Sequence, residues 1–136
     1  MKRPGISAYQ QQQRASVEVA KPEQLVATLF NKLMETLAKA RHYMEEQDLG
    51  KKVDRINLSI DILLALEQSL DHEKGGELAG NLQALYQYCI KRLTEANASN
   101  DVTMIDEVAG LMGEIREGWQ SVVNGTVEDS AVASAG

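Results

Sequence analysis

Residues 51–72 read KKVDRINLSIDILLALEQSLDH, and the reading of this stretch decides the fold. Val53, Ile56, Ile60, Leu63, Leu64 and Leu70 fall on one stripe at helical spacing. Leu58, Ile62 and Leu66 recur every four residues on another side, with Ala65 and Ser69 between them. A surface helix normally sets a polar face behind a single apolar stripe. A second stripe must be covered by another helix, a folded-back tail or a partner chain.

The flanking sequence supplies helices to pack against the first stripe. Upstream, Pro22 suits a first helical position, where its missing N–H costs nothing. Glu23 faces the positive end of the helix dipole. Leu25/Val26, Leu29/Phe30, Leu33/Met34, Leu37, Ala40 and Met44 follow at spacings of three and four. They predict a helix over 22–48, stopped by Leu49-Gly50. The second helix is expected over 51–73, broken by Gly75-Gly76. Leu78, Leu82, Leu85, Tyr86, Cys89 and Leu93 predict a third over 77–97. Asn100 or Asp101 can cap a fourth over 101–123, ended by Asn124-Gly125. Nothing alternates as a strand would. Helices of similar length joined by short turns predict an all-α, antiparallel up-down four-helix bundle. Gly110, Gly113 and Gly118 in the last helix mark either tolerance or a close approach.

Composition narrows the function. The chain has 136 residues and a formal net charge of −6, which repels phosphate and argues against a nucleic acid partner. No apolar run is long enough to span a bilayer, so no membrane insertion is expected. The N-terminus is basic but leads into Tyr9 and glutamines 10–13, which does not read as a secretory signal. The single cysteine, Cys89, fits a reducing cytoplasm and lies on an apolar stripe, as a small buried hydrophobe would. Carboxylate-bridged metal sites in bundles use Glu-x-x-His pairs. Lys39 precedes His42 and Ser69 precedes His72, so the pattern is absent. No phosphate-cradling loop appears, and no metal or other cofactor is expected. His72-Glu73-Lys74-Gly75 superficially resembles the His-x-x-Lys-Gly of histidine phosphotransfer bundles. It is one residue short, and the glycines would end the helix there.

The junction of the second and third helices is more specific. Residues 70–88, LDHEKGGELAGNLQALYQY, resemble the signature of the FliS family of flagellin export chaperones. Gly5-Ile6-Ser7-Ala8-Tyr9 resembles that family's N-terminal arm. Pro22-Glu23-Gln24-Leu25 resembles the entry to its first helix, and residues 91–97 the end of its third. Trp119 stands where its last helix carries a tryptophan. Lys21 departs from the family's usual serine cap, and Gly80 from a larger residue.

The resemblance implies a non-catalytic cytoplasmic chaperone. It would bind the disordered C-terminal segment of flagellin one to one, prevent early polymerisation, and deliver the client to a component of the flagellar type III export gate. A regulatory adaptor that sequesters a small disordered regulator, such as an anti-sigma factor, could use the same groove. The expected organisation is an arm over residues 1–20, a bundle over 21–125 and a disordered tail over 126–136. Leu58, Ile62, Leu66, Leu82 and Tyr86 are candidates for the client groove, with Ile6 and Tyr9 as a cap from the arm. The same stripe on the second helix could instead pack on the first or third helix.

Overall fold

The computed structural model describes residues 22–128, with side chains described for residues 23–119. Four helices follow one another: α1 (Pro22–Glu45), α2 (Leu49–Gln68), α3 (His72–Ser99) and α4 (Val102–Glu128). Each packs against its neighbours around a ring. α1 touches α2 and α4, α3 touches α2 and α4, and the diagonal pairs do not meet. This is the antiparallel four-helix bundle that the periodicity predicts.

The helix ends differ from the sequence reading, and side chains explain why. α1 stops at Glu45, three residues before the expected end. Gln47 takes a left-handed conformation at φ 60°. Asp48 N–H then donates to Tyr43 C=O at 2.9 Å, and Gln47 N–H to Met44 C=O at 3.2 Å. That is the Schellman closure, made here without glycine. Asp48 also caps α2, its Oδ1 accepting from Lys51 N–H at 3.3 Å. Leu49-Gly50 therefore opens α2 rather than ending α1.

At the next junction α2 ends at Gln68, not at residue 73. Asp71 caps α3, its Oδ1 accepting from Lys74 N–H at 3.0 Å. The expected break still falls at Gly76, but inside α3, where φ 51° and ψ −124° interrupt the helix after its first turn. Only glycine adopts that conformation without strain. Gly75 is constrained differently, since a Cβ there would lie 2.9 Å from Ala79 Cβ. Asn100, left-handed at φ 55°, closes α3. Asp101 caps the start of α4 through Thr103 N–H at 2.9 Å. α4 runs on to Glu128 through Asn124-Gly125, which do not end it. Glycine weakens a helix by about 1 kcal/mol without forbidding it.

The core joins Phe30, Leu33 and Leu37 of α1 to Ile56, Leu63 and Leu66 of α2. Tyr86, Cys89 and Leu93 of α3 meet Ile105, Val108 and Met112 of α4 there. The Phe30 and Trp119 rings pack with centroids 6.0 Å apart. Gly113 faces Met34, whose Cε lies 3.7 Å from where a Cβ would stand, an ordinary contact distance. Gly110 and Gly118 face open space, so nothing requires glycine at those two positions.

Sequence reasoning missed the burial of a lysine. Lys52 is only 3% exposed. Its Nζ donates to the backbone carbonyl and to Oδ1 of Asn97, each at 2.9 Å. Asn97 lies in the last turn of α3, where carbonyls lack intrahelical partners. A lysine of one helix thus caps the negative end of another.

Candidate interaction surface

Most of the second stripe of α2 is core rather than open surface. Ile62 is 1% exposed and Leu66 is fully buried. Tyr86 of α3 is buried as well, and burial pushes its phenol up to about 12. Leu58 and Leu82 are partly buried against the core. An exposed groove formed by all five side chains is therefore not present. The physical reason is geometric: an inner-facing helix touches two neighbours and needs a wider apolar arc than one stripe. Ile6 and Tyr9 lie outside the described residues.

The stripe assigned above to the core is itself divided: Ile56 and Leu63 are fully buried, while others of its side chains reach the surface. Leu64 is 37% exposed, with Ile60 and Val53 half-buried on the same side. This side flanks α3, because Glu67 Oε2 accepts from Gln83 and Gln87 Nε2 at 3.1 and 2.8 Å. Leu78, just past the Gly76 break, is 63% exposed, although its spacing placed it with the buried face of α3.

The other flank of α2, toward α1, is more unusual. Asp61 and Ala65 each lie two residues from Leu63, which turns them to the far side of the helix from the core. Both are nevertheless buried, Asp61 to 8% exposure. Further up the same flank a pocket of about 370 Å³ remains open, lined by Tyr43, Lys51, Asp54, Arg55 and Leu58. The outer α1–α2 groove thus has a closed lower part and an open upper part, with Leu58 where they meet.

The remaining seams are tied by polar pairs. Arg41 of α1 makes a two-point contact with Asp106 of α4, at 2.6 and 3.2 Å. Glu107 of α4 accepts from Tyr88 Oη at 2.6 Å and from Arg92 Nε at 2.8 Å. The Tyr88 hydrogen bond, then Arg92, holds the Glu107 carboxyl below the usual range, and the same bond raises the Tyr88 phenol. Of the two tyrosines, then, Tyr86 is core and Tyr88 is rim, its hydroxyl bound to a carboxylate.

Among the described residues no nucleophile or acid–base pair is set out as a reaction centre. Cys89 is buried, and burial drives its thiol up to about 12, far from a reactive thiolate. His72 is exposed at the first position of α3, ahead of the Gly76 break, not in mid-helix as a phosphotransfer histidine would be. Among the described residues no cluster of His, Cys, Asp or Glu is placed to hold a metal ion. No helix among them is long and apolar enough to cross a membrane.

Comparison with known sequences decides the family. The family model described as flagellar protein FliS matches residues 5–126. The chain belongs to the FliS family. It is 42% identical over 121 residues to the flagellar secretion chaperone FliSB of Pseudomonas aeruginosa, covering 86% of this chain and 96% of that protein. It is 41% identical over 120 residues to the flagellar secretion chaperone FliS of Salmonella typhimurium, covering 87% and 89%. A relative in Bacillus subtilis, also a flagellar secretion chaperone FliS, is 29% identical over 123 residues. Members of the FliS family are chaperones, not enzymes, and this chain is a non-enzymatic member of it.

Proposed function

We propose that this chain binds the disordered C-terminal segment of flagellin in the cytoplasm, holds it back from polymerising, and delivers it to a component of the flagellar type III export gate. The FliS match over residues 5–126 carries this reading. The bundle offers physical support. A client that is unfolded before assembly needs a long surface to lie on, and helix-in-groove binding provides one. Folding on binding permits a large wrapped interface at moderate affinity, which suits a client that must later be released.

The bundle over residues 21–125 is the binding body in this proposal, and residues 1–20 are its cap. Asp61 and Ala65 are buried on the flank of α2 toward α1. A client reaches that flank only if its cover moves. Ile6 and Tyr9, three residues apart in a mostly polar arm, are suited to act as that cover. Tethering gives such a plug a high effective concentration that the client must exceed.

The test is titration calorimetry of the full chain with the flagellin C-terminal segment. A one-to-one complex is expected. Absence of binding at roughly 50 μM, a concentration that would reveal even a weak complex, refutes the reading. Ile6→Ala with Tyr9→Ala should tighten client binding, and an unchanged affinity argues against a gate.

A further inference from the structure

The open pocket of the α1–α2 groove points to the chemistry of what binds there. We propose that it anchors a client segment in which an apolar side chain lies close to a carboxylate. The proposal rests on the client-binding reading above and specifies part of it.

The floor of the pocket is the half-buried pair Tyr43 and Leu58. Its volume of about 370 Å³ accepts one or two side chains, not a folded domain. Leu58 lies one helical turn before Ile62, so a chain seated in the pocket continues directly along the buried flank.

The rim supplies the charge preference. Lys51 Nζ stands 5.5 Å from the centroid of the Tyr43 ring and 3.7 Å from Asp48 Oδ2. Arg55 is half-buried, yet its guanidinium makes no hydrogen bond or ion pair among the described residues. Its backbone carbonyl is engaged by Thr36 and Ser59, but its five N–H donors are not. Its charge reaches Glu35 through space, and that carboxylate is already bonded to Lys32 Nζ at 2.9 Å. Asp48 offsets Lys51 and Asp54 adds a second negative charge, so what the rim offers is not net charge but the unengaged guanidinium of Arg55. A carboxylate can accept from Arg55 in two-point geometry without displacing an existing partner. A basic client residue would face Lys51 and Arg55 instead.

The experiment uses the full chain, the flagellin C-terminal segment, and anisotropy titrations at low and high salt. Arg55→Gln should weaken binding about fivefold and Arg55→Glu more than tenfold, with a reduced salt dependence. Neutralising acidic residues of the segment one at a time should reveal one whose loss is not additive with Arg55→Gln. Leu58→Ala should weaken binding while leaving the salt dependence unchanged. Thermal unfolding separates any loss of fold, and if Arg55→Glu unfolds, Arg55→Gln decides. Folded Arg55 variants that bind within twofold of the native chain overturn this inference and leave the client reading standing. A native chain that does not bind the segment overturns both.

Discussion

Lys52→Met tests how the two central helices are locked. The substitution keeps the aliphatic stem and removes the ammonium. It takes away two hydrogen bonds of 2.9 Å to Asn97, one of them to a backbone carbonyl at the end of α3. A hydrogen bond from a charged donor contributes about 1.5–3 kcal/mol net. Against this, burial of the ammonium is costly, and that cost lowers the Lys52 pKa below the ordinary lysine value. Asn97 is half-buried, so its side chain can turn to water while its backbone carbonyl stays behind. The balance is a loss of about 2 kcal/mol, or roughly 8 °C in Tm for a domain of this size.

The pH dependence gives a second reading of the same group. Below its lowered folded pKa, Lys52 is charged in both states and its burial cost is fully present. Between that value and the unfolded lysine pKa, the unfolded chain binds more protons, so this group makes stability rise with pH. The neutral amine still donates to Asn97. The stability gap between the native chain and Lys52→Met should therefore widen as pH rises toward the unfolded lysine value. Tyrosine ionisation affects both proteins alike and cancels in the difference. Urea unfolding at several pH values, followed by circular dichroism, measures the gap. A variant as stable as the native chain at pH 7, or a gap that narrows in alkali, refutes the lock.

Other substitutions probe the turns and the core. Gln47→Gly relieves the left-handed conformation at φ 60° and should add about 1 kcal/mol of stability, read from the urea midpoint. Gly110→Ala should add about 0.5–1 kcal/mol because its Cβ meets nothing, whereas Gly75→Ala should destabilise through its 2.9 Å clash with Ala79. Ile62→Asp places a carboxylate where the side chain is 1% exposed. It should cost more than about 3 kcal/mol and melt the bundle rather than merely lose a surface contact. Cys89 should resist a thiol-specific reagent at pH 8 in the folded chain and react within minutes in denaturant, as judged by absorbance.

The periodicities of residues 25–44, 53–70, 78–93 and 104–123 made four helices and their antiparallel order legible, because apolar spacing is a local property of the chain. Helix ends were less legible. The sequence reading relied on Gly50 and Gly75-Gly76 as stops, while Asp48 and Asp71 captured the free N–H groups and set the boundaries first. The family was legible in residues 70–88, where several uncommon residues fall together. Lys52 carried no signal of burial, since a lysine beside Lys51 at a helix start ordinarily faces water.

By itself the sequence determined the class of fold, the number of helices and the family, all of which follow from local spacing and from runs of residues. Which apolar side chains of α2 would reach the surface was decided only by tertiary structure. Val53, Ile60 and Leu64 are as apolar as Leu58, Ile62 and Leu66, and helical spacing cannot say where the neighbours stand. Packing of α2 against α1 on one side and α3 on the other buried Ile62 and Leu66 and left Leu64 exposed. The same packing set Tyr43 of α1 beside Leu58 and Arg55 of α2, forming a pocket from residues that no single-helix pattern connects.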